Sequence, residues 1–206
     1  IVINLSEMRL YYFRPNEAVI SFPIGIGSEG RETIVGTTRV VSKRPNPTWY
    51  PPPAKRAEDP DLPAAVPPGP DNPLGDFALY LGWPRYLIHG TNQPYGVGRR
   101  LSAGCIRLYP EDIARLYPMV SIGTPVTVVD EPVKLGWSKG DLFLEIHPTQ
   151  AQADELEDKR RFTTRVIDRL VERIKQAAGE HAGRLDWELV ARAAKDRSGV
   201  PVKITH

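Results

Sequence analysis

Short runs of apolar, β-branched and aromatic residues, separated by turn-forming residues, fill most of the first 147 positions. This pattern predicts β-strands. Residues 8–13 and 18–22 flank Arg-Pro-Asn-Glu at 14–17, which predicts a hairpin. Proline followed by two acidic residues predicts a helix that begins at Pro110. Further strands are predicted at residues 36–42, 77–81, 86–89, 126–129 and 142–147.

The strand pattern is interrupted at residues 44–75, which hold eleven of the 21 prolines. Proline fixes φ and lacks a backbone donor, so this segment is predicted to be neither helix nor central strand. A disordered linker is one interpretation of such a composition. We favour an ordered, extended loop, because the segment carries Trp49 and Tyr50 and strands resume on both sides of it. We expect this loop to form one wall of a cleft.

From about residue 149 the spacing of apolar residues becomes helical. An amphipathic helix is predicted over the positions Phe162, Val166, Ile167, Leu170, Val171 and Ile174. A second helix is predicted from Trp187 to near Gly199. The apolar stripe either packs on the β domain or docks a second copy or a partner. The predicted domains are therefore a mainly β domain at 1–147 and a helical C-terminal extension at 148–206.

Composition excludes several classes of function. A hydrophobic fraction of 41% and a charged fraction of 25% are typical of a soluble globular protein. The net charge of +2 is too small to indicate nucleic-acid binding but suits a substrate with a few carboxylates. No run of eighteen apolar residues is present, so no transmembrane segment is expected. The chain begins inside a strand-like run, from which we expect that a targeting segment has been removed.

Metal and nucleotide sites are not indicated. His147, His181 and His206 are far apart and lack ligand spacing, so no metal site is expected. Glycines at 25, 27 and 30 match a dinucleotide fingerprint by letters alone. The surrounding pattern is antiparallel β with no convincing helix after it, so the match is attributed to chance. No cofactor is predicted.

The candidate chemistry centres on Cys105, the only cysteine, within Ser-Ala-Gly-Cys-Ile-Arg-Leu at 102–108. A free cysteine is often a small buried core residue. A catalytic thiol needs a base or positive charge beside it, and His89 lies sixteen residues upstream with a glycine-containing loop between. Gly104 would let backbone amides face a carbonyl and form an oxyanion hole.

The two strings His-Gly-Thr-Asn at 89–92 and Ser-x-Gly-Cys-Ile-Arg-Leu at 102–108 closely resemble the L,D-transpeptidase catalytic domain of the YkuD type. The resemblance covers about residues 1–147 and is greatest to the Gram-negative, periplasmic branch. It implies a mainly β sandwich or barrel with a short helix after the catalytic loop. The C-terminal helical extension lies outside it.

The resemblance also implies residue roles. Cys105 would be the nucleophile, and His89 the general base and acid, oriented by the backbone carbonyl of Gly90. The amides of Gly104 and Cys105 would form the oxyanion hole. Substrate binding would involve Ser102, Arg107, Thr91, Asn92, Tyr86 and Arg100. Many family members carry histidine where this chain has Ala103, which leaves His89 as the only catalytic imidazole.

The implied activity is attack on the diaminopimelate–D-alanine bond of a peptidoglycan tetrapeptide stem through a cysteine thioester. The acyl group would pass to an amine, giving a 3→3 cross-link or a bond to a lipoprotein lysine. One alternative is a hydrolase of the same family that releases D-alanine or wall-linked lipoprotein. Another is a non-catalytic peptidoglycan-binding module. The resemblance further implies a role in cell-wall biogenesis and cell shape, a place in the periplasm or cell envelope, and acylation of Cys105 by carbapenems.

Overall fold

Thirteen strands and five helices make up the computed structural model, which describes all of residues 1–206. The strands are β1 (Val2–Asn4), β2 (Arg9–Tyr12), β3 (Ile20–Pro23), β4 (Ile26–Gly27), β5 (Gly36–Pro45), β6 (Phe77–Leu81), β7 (Leu87–His89), β8 (Arg100–Ser102), β9 (Ile106–Arg107), β10 (Pro125–Val129), β11 (Val133–Ser138), β12 (Asp141–Ile146) and β13 (Val202–Lys203). The helices are α1 (Pro53–Glu58), α2 (Pro110–Met119), α3 (Gln150–Lys159), α4 (Leu170–Ala178) and α5 (Trp187–Asp196). No helix is both long and apolar enough to cross a bilayer.

The chain divides into two compact units, the N-terminal unit Ile1–Val129 and the C-terminal unit Asp130–His206. The N-terminal unit is built on an eight-stranded sheet in the order β3-β2-β1-β10-β5-β6-β7-β9. The pairs β1–β10 and β7–β9 are parallel, and the other neighbours are antiparallel. A short parallel ribbon of β4 and β8 lies outside this sheet. The predicted hairpin is present as β2 and β3.

Alternating residues of these strands form one hydrophobic core. Leu10, Leu79 and Ile88 are fully buried, and α2 adds Ile113 and Leu116 to the same cluster. Helix α2 begins at Pro110 as predicted. The expected mainly β class, with a short helix after the catalytic loop and helices near the C terminus, is confirmed.

The proline-rich segment 44–75 is ordered. Prolines cannot donate backbone hydrogen bonds, and the buried side chain of Asn72 supplies donors instead. Its Nδ2 donates to the carbonyls of Pro47, Val66 and Pro67 at 2.7, 3.2 and 3.1 Å. The exclusion of helix from this segment was wrong, because α1 begins with Pro53 at a position that needs no N–H donor.

The C-terminal unit contains a three-stranded sheet, β11-β12-β13. Its inner face buries Leu142 and Leu144 against Ile174 of α4 and Val190 of α5. The structure therefore divides the chain after residue 129, whereas the predicted boundary was 147. The reason is that β12 pairs with β13, from the end of the chain, so β11 and β12 share a core with the helices.

The apolar stripe predicted as one helix over 162–174 is helical only from Leu170. Helix α3 ends at Lys159, and the φ of 55° at the next residue, Arg160, places that residue in the left-handed region. Side chains bond the backbone that follows: Gln152 Nε2 donates to the Thr163 carbonyl at 2.7 Å, and Arg197 donates to the Arg165 carbonyl. These bonds occupy carbonyls that a helix would use, and residues 161–167 have no regular secondary structure.

Candidate active site

Two neighbouring parallel strands position the cysteine and the histidine. In the pairing of β7 with β9, Ile88 lies opposite Ile106 and His89 opposite Arg107. Cys105 immediately precedes β9, one residue before Ile106. Because side chains alternate between the faces of a strand, the side chains of Cys105, Arg107 and His89 share one face. The Cα atoms of Cys105 and His89 are diagonal neighbours about 8 Å apart, given ordinary strand spacing and rise.

His89 is fixed and buried at the end of β7, with 3% of its surface exposed. Its Nδ1 lies 2.5 Å from the carbonyl oxygen of Gly90. A carbonyl only accepts, so Nδ1 carries the proton and Nε2 is left as the basic nitrogen. Burial, and next the charge of Arg107, lower the pKa of His89 to about 4, although the carbonyls of Gly90 and Leu74 oppose this. The resting imidazole is therefore neutral.

Cys105 is half-buried, and its Sγ donates a hydrogen bond to the carbonyl of Arg85 at 3.4 Å. Burial raises the pKa of this thiol above its ordinary value, because it disfavours the thiolate. A backbone hydrogen bond at Leu87 and the charge of Arg107 act in the opposite direction but do not prevail. At neutral pH the resting site accordingly holds a thiol and a neutral imidazole.

A network of hydroxyl groups braces the turn before Cys105. Ser102 Oγ donates to the Cys105 carbonyl at 2.6 Å and accepts from the Gly104 N–H at 3.2 Å. Thr33 Oγ1 donates to the Gly104 carbonyl at 2.9 Å and accepts from the Gly27 N–H at 3.0 Å. The Gly104 N–H, expected in the oxyanion hole, is thus engaged by Ser102 in the resting structure.

The backbone conformation at position 104 and the atoms around it both require glycine there. Its φ is 100°, a region that L residues with a side chain rarely adopt. A Cβ there would lie 2.9 Å from Cε1 of Tyr86 and 3.3 Å from the Glu32 carbonyl oxygen. The Tyr86 hydroxyl in turn donates to that same carbonyl at 3.3 Å. Tyr86, which was predicted to bind substrate, therefore packs directly against the turn that carries Cys105.

Arg107 supplies the positive charge on the shared face. Its backbone N–H and carbonyl pair with Gly25, which fixes the strand. Its Nε is buried and has no hydrogen-bond partner. Because the guanidinium is close enough to lower the pKa of both Cys105 and His89, it favours a thiolate and disfavours an imidazolium.

Of the remaining residues that were predicted to bind substrate, two are buried and one is exposed. Thr91 is buried, and its Oγ1 accepts from the Gln93 N–H at 2.9 Å. Arg100 is also buried, and its Nε donates to the Gly27 carbonyl at 3.3 Å. Both side chains bond the backbone beneath the surface, whereas substrate contact was predicted for them. Asn92 is exposed.

Sequence reasoning missed Thr33 and Arg85. Thr33 reaches the site across 71 positions, and the sequence around it carries no motif that marks this contact. Arg85 contributes through its backbone carbonyl, which any residue type possesses. Its φ of 70° is unusual for a residue with a side chain, but backbone angles are not visible in the sequence.

A groove of about 570 Å³ in the N-terminal unit begins at Arg85 and Tyr86. We call it the Tyr50 groove. The proline-rich segment contributes Arg44, Thr48 and Tyr50 to it, and its other side chains include Tyr80 and Trp83. The same segment supplies the Leu74 carbonyl beside His89. That the proline-rich segment forms one wall of the cleft stays a prediction.

Comparison with known proteins identifies the family of this chain. The family model described as the YkuD L,D-transpeptidase catalytic domain matches residues 1–128. The probable L,D-transpeptidase ErfK/SrfK of Escherichia coli K12 is 42% identical over 100% of this chain and 66% of its own length. The probable L,D-transpeptidase YbiS of the same organism is 41% identical over 99% of this chain and 67% of its own length. The chain thus spans about two thirds of the length of these relatives.

Among solved structures, the one described as the Ldtfm–avibactam carbamoyl enzyme aligns with a TM-score of 0.51 at 23% sequence identity. The alignment covers 63% of this chain and 48% of that chain. At this level of identity the likeness concerns the fold alone.

Proposed function

The chain belongs to the YkuD family of L,D-transpeptidase catalytic domains, and we propose that it is a cysteine L,D-transpeptidase acting on peptidoglycan stem peptides. One observation carries the proposal. Cys105 directly precedes β9, which pairs with the strand that ends at His89, and His89 Nδ1 is held by Gly90 so that Nε2 is the available base. That arrangement is what a thiol nucleophile and its general base require.

In the acylation step, Cys105 attacks the substrate and His89 transfers the proton. The substrate carbonyl that joins diaminopimelate to D-alanine would lie beside Cys105. As the Cys105 sulfur bonds to the carbonyl carbon, His89 Nε2 takes the thiol proton, so the thiolate forms during attack. The charge on the carbonyl oxygen is stabilised by backbone amides of the turn. The Gly104 N–H would have to leave Ser102 Oγ to take part. Collapse of the intermediate breaks the carbon–nitrogen bond, and the D-alanine amine leaves with the proton from His89.

Transfer is the reverse sequence with a different amine. The acceptor nitrogen attacks the thioester carbonyl while His89 removes its proton. Breakdown of the second intermediate releases the new amide, and the sulfur regains a proton from His89. A diaminopimelate amine gives a 3→3 cross-link, and the lysine amine of an envelope lipoprotein gives an anchored lipoprotein. Water as acceptor gives a hydrolase.

The periplasm or cell envelope is the proposed location. Support comes from the substrate class of the family, which is the cell wall outside the inner membrane.

The test is a transfer assay with a diaminopimelate-containing tetrapeptide and a separate amine acceptor, followed by mass spectrometry. The expected result is loss of D-alanine with formation of the tripeptide–amine product, absent in Cys105→Ala. Loss of D-alanine with only free tripeptide would indicate the hydrolase. Retained binding of the tetrapeptide without turnover, equal in wild type and Cys105→Ala, would indicate the non-catalytic binding module.

A further inference from the structure

The Tyr50 groove lies directly beside the nucleophile. The backbone of Arg85, a lining residue, accepts the hydrogen bond from Cys105 Sγ at 3.4 Å. The ring of Tyr86, another lining residue, packs against Gly104. A peptide whose carbonyl is held at Cys105 therefore lies next to residues that line this groove.

The charged side chains that line the groove are all positive. Two of its lining residues are arginines, Arg44 and Arg85, and none is acidic. Neither arginine forms an ion pair with a carboxylate of the chain. Two exposed guanidiniums without partners, on one concave surface, favour a ligand with carboxylates.

The groove also presents aromatic surface. Tyr50 is 68% exposed, and Tyr80 and Trp83 line the same depression. Trp83 makes an edge contact with Tyr86 at 6.2 Å between ring centroids, which fixes both rings. Fixed rings flanked by arginines suit a peptide that combines an aliphatic backbone with acidic groups.

We propose that the Tyr50 groove binds the carboxylate-bearing part of the acyl donor, on the side of the cleaved bond that stays on the enzyme. Arg44 and Arg85 would pair with donor carboxylates, and Tyr50 and Trp83 would cover the peptide between them. A cationic lysine acceptor is disfavoured there by the same two arginines. This inference rests on the proposed function for its choice of substrate, and it adds which residues select the donor.

The experiment measures acylation of Cys105 by intact mass, with no acceptor present. Two donors are used: a tetrapeptide with free carboxylates and the same tetrapeptide with the carboxylates upstream of the cleaved bond amidated. The variants are Arg44→Gln and Arg85→Gln. Arg39→Gln, on the same strand as Arg44 but outside the groove, is the matched control. Alkylation of Cys105 by iodoacetamide, which needs no groove, verifies that each variant keeps an intact site.

Each groove variant is expected to lose about fivefold in the second-order acylation rate with the free donor, the upper range for an exposed ion pair. With the amidated donor the variants and wild type should match, and Arg39→Gln should match wild type with both. Equal rates for groove variants and wild type on the free donor would overturn the proposal. So would an equal loss on both donors, which indicates a structural role. Absence of acylation in wild type would instead refute the proposed function itself.

Discussion

The resting protonation state of the site gives a quantitative prediction about Cys105. The pKa of His89 is lowered to about 4, and that of Cys105 is raised above an ordinary value of 9.0. The two values differ by at least about five pH units, so moving the thiol proton to the isolated imidazole costs about 7 kcal/mol. Attraction between the resulting charges returns no more than about 4 kcal/mol, the value for a separation of about 4 Å in a partly screened site. The balance of about 3 kcal/mol leaves less than about 1% of the enzyme as an ion pair.

The assay is the second-order rate of alkylation of Cys105 by iodoacetamide as a function of pH. Only the thiolate reacts, and the small ion-pair fraction does not change with pH between the two pKa values, so the rate should rise about tenfold per pH unit only from about pH 8 upwards, without a plateau up to about pH 9. His89→Gln should keep the same slope, because the imidazole does not ionise the resting thiol, yet it should abolish acylation by the tetrapeptide. A rate that is already maximal at neutral pH in wild type and stays flat up to about pH 9, but becomes steep in His89→Gln, would refute the reasoning.

Three further predictions concern stability and the turn before Cys105. Because the pKa of His89 is depressed in the folded state, its contribution to stability is complete above about pH 6.5 and is lost as pH falls through about 4. Urea denaturation should therefore show that wild type loses about 3 kcal/mol more than His89→Gln between about pH 7 and pH 4; parallel losses would contradict this. Gly104→Ala should slow acylation at least about a hundredfold. The new Cβ would collide with the Tyr86 ring, and alanine would also be strained at the positive φ of this position. Near-normal acylation kinetics would show that the turn can shift. Thr33→Val should lower the free energy of unfolding by about 1–3 kcal/mol, with Thr33→Ser restoring most of it. Failure of serine to restore stability would mean that the methyl group matters more than the hydroxyl bonds to Gly27 and Gly104.

The sequence was sufficient to predict those elements whose structure is determined by residues close together in the chain. The turn residues of the first hairpin and the proline at the start of α2 act within a few positions, and both elements are present. Gly104 could be singled out because a glycine before a reactive cysteine has a direct steric purpose. Its φ of 100° agrees with that reading.

The sequence was insufficient where distant segments decide the outcome. Nothing local shows that Thr33 bonds the Gly104 carbonyl, since that contact depends on the placement of two loops. The apolar stripe from Phe162 has helical spacing. Its first part is nevertheless not helical, because Gln152 and Arg197 bond the carbonyls of Thr163 and Arg165. Similarly, β12 has the pattern of any half-buried strand, and only its partner β13 assigns it to the C-terminal unit.

The most direct test of the central claim is the acyl-enzyme itself. Wild-type protein is mixed with the tetrapeptide in the absence of an acceptor, quenched in acid and digested, and the peptide that contains Cys105 is weighed. The account predicts a thioester of the tripeptide on Cys105 and release of one D-alanine per adduct formed. An adduct at another residue would contradict the account. So would turnover that survives in Cys105→Ala.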